Sequence, residues 1–205
     1  YHLLGYWLEG CKRPAHAWLL QSTGNVRCSV LDYGCGVGCD GLWLLDAGYD
    51  VSFADIPSPS LEFLRWRLRQ RLYYGSPVYE VPLTPDVPQH TFVWAMDVLE
   101  HLPPAEHEAF LMHLASLGRF VLVNLIDDKA ADGTVHHPVD VEGLTAFLRE
   151  RGSLVFQDHY LSRTGNRTRF VCYGPEVPAA LIRQLTPQGT GMLAEHEEEQ
   201  RATAP

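Results

Sequence analysis

The densest run of residues able to do chemistry lies between positions 30 and 41. Val30-Leu31-Asp32-Tyr33-Gly34-Cys35-Gly36-Val37-Gly38 ends an apolar, strand-like stretch and opens a helix-like one. Glycines at such a junction let the backbone approach a ligand closely and take φ values other residues avoid. Asp55 follows Gly36 by 19 positions, where a carboxylate at the end of a second strand can accept both hydroxyls of an adenosine ribose. Gly36-Val37-Gly38-Cys39-Asp40-Gly41 also satisfies the dinucleotide fingerprint G-x-G-x-x-G. These residues alone therefore leave open which nucleoside cofactor is bound, and an NAD-linked enzyme remains a reading.

Other reactive side chains form weaker patterns. Glu100, His101, Glu106 and His107 are close in sequence, but 101 and 107 do not share a helix face, so no metal is expected. Cys35 and Cys39 lack a second Cys or His pair to complete four ligands. Arg65, Arg67, Arg69 and Arg71 alternate with Trp66, Leu68 and Leu72 and read as a solvated helix face.

The elements that must position these groups alternate along the chain. Val26–Asp32 reads as a buried strand, followed by the glycine turn and a helix stopped at Gly48. Asp50–Ile56 is a second strand, and Ser60–Tyr73 a helix beyond Pro57 and Pro59. Short strands at Pro77–Val81 and Thr91–Met96, a helix at Pro104–Leu117 and a strand at Arg119–Ile126 continue the rhythm. A helix at Asp140–Arg151 and two runs, Leu154–Leu161 and Thr168–Tyr173, close it as a β-hairpin. The expected fold is α/β: a Rossmann-like three-layer sandwich with a mostly parallel seven-stranded sheet closed by an antiparallel hairpin. Residues 1–25 are expected to form an N-terminal helical segment able to act as a lid, 26–174 the main domain, and 175–205 an extension with an acidic tail.

Composition limits the function classes. The 205 residues suffice for one domain with a core, and 46% apolar with 20% charged residues is ordinary for a globular protein. No apolar run approaches the roughly 20 residues a membrane span needs, so no membrane insertion is expected. A net charge of −9 repels phosphate backbones, and nucleic acid is not expected as a partner. The five cysteines are an odd number and no signal-like stretch opens the chain, which points to a reduced, cytoplasmic protein.

Three features together resemble class I S-adenosylmethionine-dependent methyltransferases that act on small molecules. Asp32 through Gly38 is similar to their Asp-x-Gly-Cys-Gly-x-Gly loop, Asp97-Val98-Leu99-Glu100-His101-Leu102 to their D-V-L-E-H-L segment, and the closing hairpin to their antiparallel last strand. The resemblance covers roughly residues 26–174. It implies S-adenosylmethionine as cofactor, S-adenosylhomocysteine as product, and methyl transfer to an O, N or C atom of a small-molecule substrate. It further implies that Gly34, Cys35 and Gly36 present backbone to the methionine end and that Asp32 reads its amino group. Asp55 with Ile56 would hold ribose and adenine, Glu80 and Val81 would border adenine, and Met96-Asp97 would complete the methionine pocket. His101, and His137 in the loop after the fifth strand, are the candidate general bases, since histidine titrates near ~6.5. A non-catalytic partner protein keeping this fold is the remaining alternative.

Overall fold

In the computed structural model, strands and helices alternate as the sequence leads one to expect. The structure describes residues 12–23, 28–127, 136–151, 153–161 and 167–174. Most of the expected lid, the hairpin turn and the acidic extension lie outside the described residues. Helix α1 (Arg13–Thr23) precedes strand β1 (Ser29–Tyr33), α2 (Cys39–Asp46), β2 (Asp50–Asp55), α3 (Pro59–Gln70), β3 (Val78–Glu80) and β4 (His90–Ala95). After 3₁₀ turns at Leu99–His101 and Pro104–Glu106 come α4 (His107–Leu117), β5 (Gly118–Asp127), α5 (Val141–Arg151), β6 (Ser153–Leu161) and β7 (Arg167–Gly174).

The seven strands form one sheet in the order β3-β2-β1-β4-β5-β7-β6. Strands β1 to β5 pair in parallel, while β7 runs antiparallel to both β5 and β6. A dinucleotide-binding sheet runs 3-2-1-4-5-6. The antiparallel β7 inserted beside β5 separates this fold from that one, although both start from the same glycine pattern.

Because strand side chains alternate between faces, each central strand feeds two cores. Val30, Phe53, Phe92, Trp94 and Leu122 pack with Ala15, Trp18 and Leu19 of α1 and Leu61, Leu64 and Leu68 of α3. Leu31, Ala54, Val93, Val121 and Val123 pack on the opposite face with Leu111 and Leu114 of α4 and Leu144 and Leu148 of α5. Burial on both faces explains why these strands read as continuous apolar runs. Helix α3 starts sharply because Pro59 sits in its first turn and the Ser58 hydroxyl accepts from the Leu61 N–H.

Two details differ from the sequence reading. The helix expected from Pro104 opens as a 3₁₀ turn and becomes α-helical only at His107. The arginine run is not wholly solvated: Arg67 donates to the Val37 carbonyl, bracing the glycine turn, and Arg65 pairs with Glu62 and Glu80.

Candidate cofactor-binding site

The carboxyl ends of β1, β2 and β4 open onto a cavity of about 1220 Å³. Ligands of open α/β sheets bind at this edge, where the strand order reverses. The volume exceeds the roughly 300–1,000 Å³ of most ligand pockets, so a cofactor and a second small molecule fit together.

The glycine turn after β1 forms one wall. Gly34, Gly36 and Gly38 all have left-handed φ, of 72°, 53° and 72°. The Gly34 and Cys35 N–H groups donate to the Ala54 carbonyl at 2.8 and 3.2 Å, tying the turn to β2. A Cβ on Gly34 would collide with Val98, whereas one on Gly36 would meet nothing within 4 Å. Gly34 is thus required by packing, and Gly36 keeps the cavity side of the turn bare.

Asp55 closes β2 with its carboxylate aimed at that turn. One oxygen accepts from the Gly36 N–H at 2.5 Å and the other from the Ile56 N–H at 2.7 Å. Asp55, Ile56 and Val81 all line the cavity. Ile56 is 62% exposed, an uncovered apolar surface suited to a flat ring. Glu80 is absent from this wall: its carboxylate turns outward to Arg65 at 2.9 Å.

Three further carboxylates, Asp32, Asp40 and Asp97, line the cavity and form an acidic wall. Asp32 is 3% exposed and accepts from the Gly41 N–H at 2.9 Å. Burial, reinforced by the charge of Asp40, pushes its pKa up to about 8. Asp97 has a left-handed φ of 58°; its N–H donates to the Asn124 side-chain oxygen at 2.7 Å, and the Asn124 amide donates back to its carboxylate. Lys12 bridges the wall, with its ammonium 2.7 Å from Asp40 and 2.9 Å from Asp97. Burial opposes that charge, but the two carboxylates outweigh it and hold the ammonium above the ordinary lysine value. Asp40 is itself buried, which alone would raise it, yet Lys12 and His16 draw it down to about 2. His16, 3.4 Å from Asp40, stacks on Trp94 with ring centroids 4.7 Å apart.

His101 and His136 also line the cavity, with ring centroids 4.8 Å apart. His137 is exposed, and its backbone N–H donates to the Glu100 carbonyl at 2.6 Å. Of the residues singled out in the sequence, Asp32, Gly34, Cys35, Gly36, Asp55, Ile56, Val81, Met96, Asp97 and His101 line one cavity, and Glu80 and His137 do not. Lys12, His16 and Asn124 were not singled out, because no motif or spacing marks them; His136 adjoins His137 in the same loop, and nothing in the sequence chooses between the two. Among the described residues no group of three or more His, Cys, Asp or Glu is arranged to hold a metal ion, and no helix is long and apolar enough to cross a membrane.

No family model matches the chain. Magnesium-protoporphyrin O-methyltransferase of Synechocystis is 34% identical over 106 residues, covering 49% of this chain and 45% of that protein. Human glycine N-methyltransferase is 29% identical over 135 residues, covering 57% and 46%. The chain spans about half the length of these curated relatives. Among solved structures, magnesium protoporphyrin IX methyltransferase from Synechocystis with bound S-adenosylhomocysteine superposes with a TM-score of 0.66 at 24% identity, covering 80% of this chain and 81% of that one. The 1,6-didemethyltoxoflavin N1-methyltransferase of Burkholderia thailandensis, also with S-adenosylhomocysteine, gives 0.62 at 21% identity, covering 84% and 81%. The antiparallel β7, the glycine turn and these likenesses agree: the chain has the fold of the class I S-adenosylmethionine-dependent methyltransferases, and its named relatives are enzymes of that class.

Proposed function

We propose that the protein transfers a methyl group from S-adenosylmethionine to an O, N or C atom of a small molecule. The observation that carries this reading is the joint placement of the bare Gly36 turn, the Asp55 carboxylate and the acidic wall around one cavity large enough for cofactor and acceptor. The residues present fit the cofactor. Asp55 offers acceptors for two ribose hydroxyls, Ile56 and Val81 an apolar border for adenine, and Met96-Asp97 with Gly34-Cys35-Gly36 a pocket for the methionine end. Asp40 and Asp97, partly offset by Lys12, supply negative potential where a sulfonium and an ammonium would lie, and Asp32, protonated below about pH 8 in the ligand-free chain, adds to it once ionised.

Bound there, the cofactor would supply an electrophilic methyl carbon, with the thioether sulfur as its leaving atom. The chain's contribution is alignment and exclusion of water. Helix α1 covers the cavity with His16, Ala17 and Leu20, and Val98, Leu102 and Phe110 form an apolar wall on the acceptor side. Where the acceptor must lose a proton, His101 or His136, both of which line the cavity, would take it. The four described cysteines, Cys28, Cys35, Cys39 and Cys172, are free thiols, which supports a reducing, cytoplasmic setting.

Isothermal titration with S-adenosylhomocysteine, run beside NAD and NADP, tests the reading. Saturable binding of S-adenosylhomocysteine with silent dinucleotides is expected. Dinucleotide binding without S-adenosylhomocysteine binding would overturn it.

A further inference from the structure

Exposed apolar surface and positive charge concentrate on one element of this acidic chain, helix α3 and its ends. Of the six large apolar side chains exposed among the described residues, five lie between positions 56 and 74: Ile56, Phe63, Trp66, Leu72 and Tyr74. The same stretch holds four of the sixteen basic residues and one of the twenty-five acidic ones. Single exposed apolar residues are ordinary, but a cluster marks a contact surface. Phe63 and Trp66, 47% and 49% exposed, stack with ring centroids 5.4 Å apart. Leu61, Leu64 and Leu68 seat the opposite side of the helix in the core, so the rings face away from it. With 3.6 residues per turn, Arg67 and Arg69 flank the ring pair on its two sides. Arg65 and Arg71 are committed to Glu62, Glu80 and Asp46. Arg67 bonds only the uncharged Val37 carbonyl and Cys39 thiol, and Arg69 has no carboxylate partner among the described residues. Two uncompensated guanidiniums are too few for a phosphate backbone, which takes about 6–10 contacts. The rings protrude from a convex helix, whereas a peptide needs a groove to lie in. A flat interface that takes aromatic rings among anionic headgroups suits both features.

We propose that the outer face of α3 docks the protein reversibly on an anionic phospholipid surface, with Phe63 and Trp66 entering the headgroup layer and Arg67 and Arg69 meeting lipid phosphates. Each guanidinium near such a surface contributes about fivefold to partitioning, which suits adsorption and not insertion. The net charge of −9 sets the orientation, because the acidic remainder is repelled while α3 is attracted. Charges more than about 8 Å from the lipid are screened at physiological salt. Ile56, three residues before α3, lines the cavity, so a chain held this way keeps that cavity close to the lipid.

Co-sedimentation of the full chain with vesicles of phosphatidylcholine alone, or mixed equally with phosphatidylglycerol, tests it. Wild type is expected to pellet with the anionic vesicles, far less with the neutral ones, and to be released by salt. Replacing both rings, Phe63→Ser with Trp66→Ser, should lower binding by about tenfold or more through the lost apolar area. Arg69→Gln should lower it by about fivefold, and Arg69→Lys should bind as wild type does. All variants should keep the wild-type circular dichroism spectrum, which separates loss of the surface from loss of the fold. Should the ring variant fail to fold, the arginine pair decides: equal binding by Arg69→Gln and wild type overturns the proposal. Wild type that stays in solution with anionic vesicles, or pellets equally with both kinds, overturns it too. Capture by immobilised poly-glutamate without vesicle binding would overturn it in favour of an acidic protein partner.

Discussion

At the scale of single residues, the proposed reading separates groups that bind from groups that react. Asp55 has both oxygens on backbone N–H groups and still lines the cavity, so it orders the turn, and in the proposed reading it also holds the ribose. Asp55→Ala is expected to weaken S-adenosylhomocysteine on the order of 1.5–3 kcal/mol, the range for hydrogen bonds to a charged group; titration of a folded variant with unchanged affinity would refute the ribose assignment. The histidines make a sharper case. His136 shares the cavity with His101, while the neighbouring His137 is exposed and contributes its backbone to Glu100. With an acceptor that must lose a proton, His136→Gln should slow turnover by roughly 10²–10⁴, the usual range for a general base, without altering cofactor affinity. His137→Gln should leave the rate unchanged; the opposite ranking would reassign the base.

At the scale of elements, the turn from β1 to α2 is where fold and function compete for the same residues. Gly34 and Gly36 share a left-handed backbone but differ in what surrounds them. Gly34→Ala combines an unfavourable φ with a collision against Val98, so a loss of about 1–3 kcal/mol is expected in urea denaturation. Gly36→Ala meets no neighbour, and its methyl group would enter open space on the cavity side. It should therefore reduce cofactor affinity more than stability. Equal effects of the two changes would mean that the turn matters only as a fold element. The arginine run shows the same interplay, since Arg67 of α3 reaches back to the Val37 carbonyl in this turn.

At the scale of the whole molecule, the acidic wall links stability to pH. Burial, reinforced by Asp40, raises Asp32 from an ordinary 3.8 to about 8 in the folded chain. A folded-state pKa above the unfolded one stabilises fully below the unfolded value, and that contribution is lost as pH rises through the folded value. The ligand-free protein should thus lose stability between about pH 4 and 8 through this group. Asp32→Asn, which keeps an acceptor for the Gly41 N–H, should flatten that slope in denaturation curves at several pH values. An unchanged slope would show that Asp32 is already ionised in the folded state. The cost of burying it fits the proposed cofactor, which would carry positive charge into the same wall.

What the sequence determined by itself was local or repetitive. The alternation of strands and helices, the closing hairpin, the glycine turn and Asp55 at the end of β2 all follow from periodicity, from chain breakers and from a short fixed spacing. Those signals are carried by neighbouring residues, so they survive without knowledge of the rest of the chain. Tertiary structure decided the contacts that join distant segments. Lys12 meets Asp40 and Asp97, and Asp97 meets Asn124, only because α1, α2, β4 and β5 converge at one edge of the sheet. It also decided the direction of side chains that the sequence left equivalent: Glu80 turns to Arg65 instead of the cavity, and His136 faces inward in place of His137. Adjacent residues in irregular backbone can point to opposite sides, and which of them faces the ligand depends on what the fold packs against the loop.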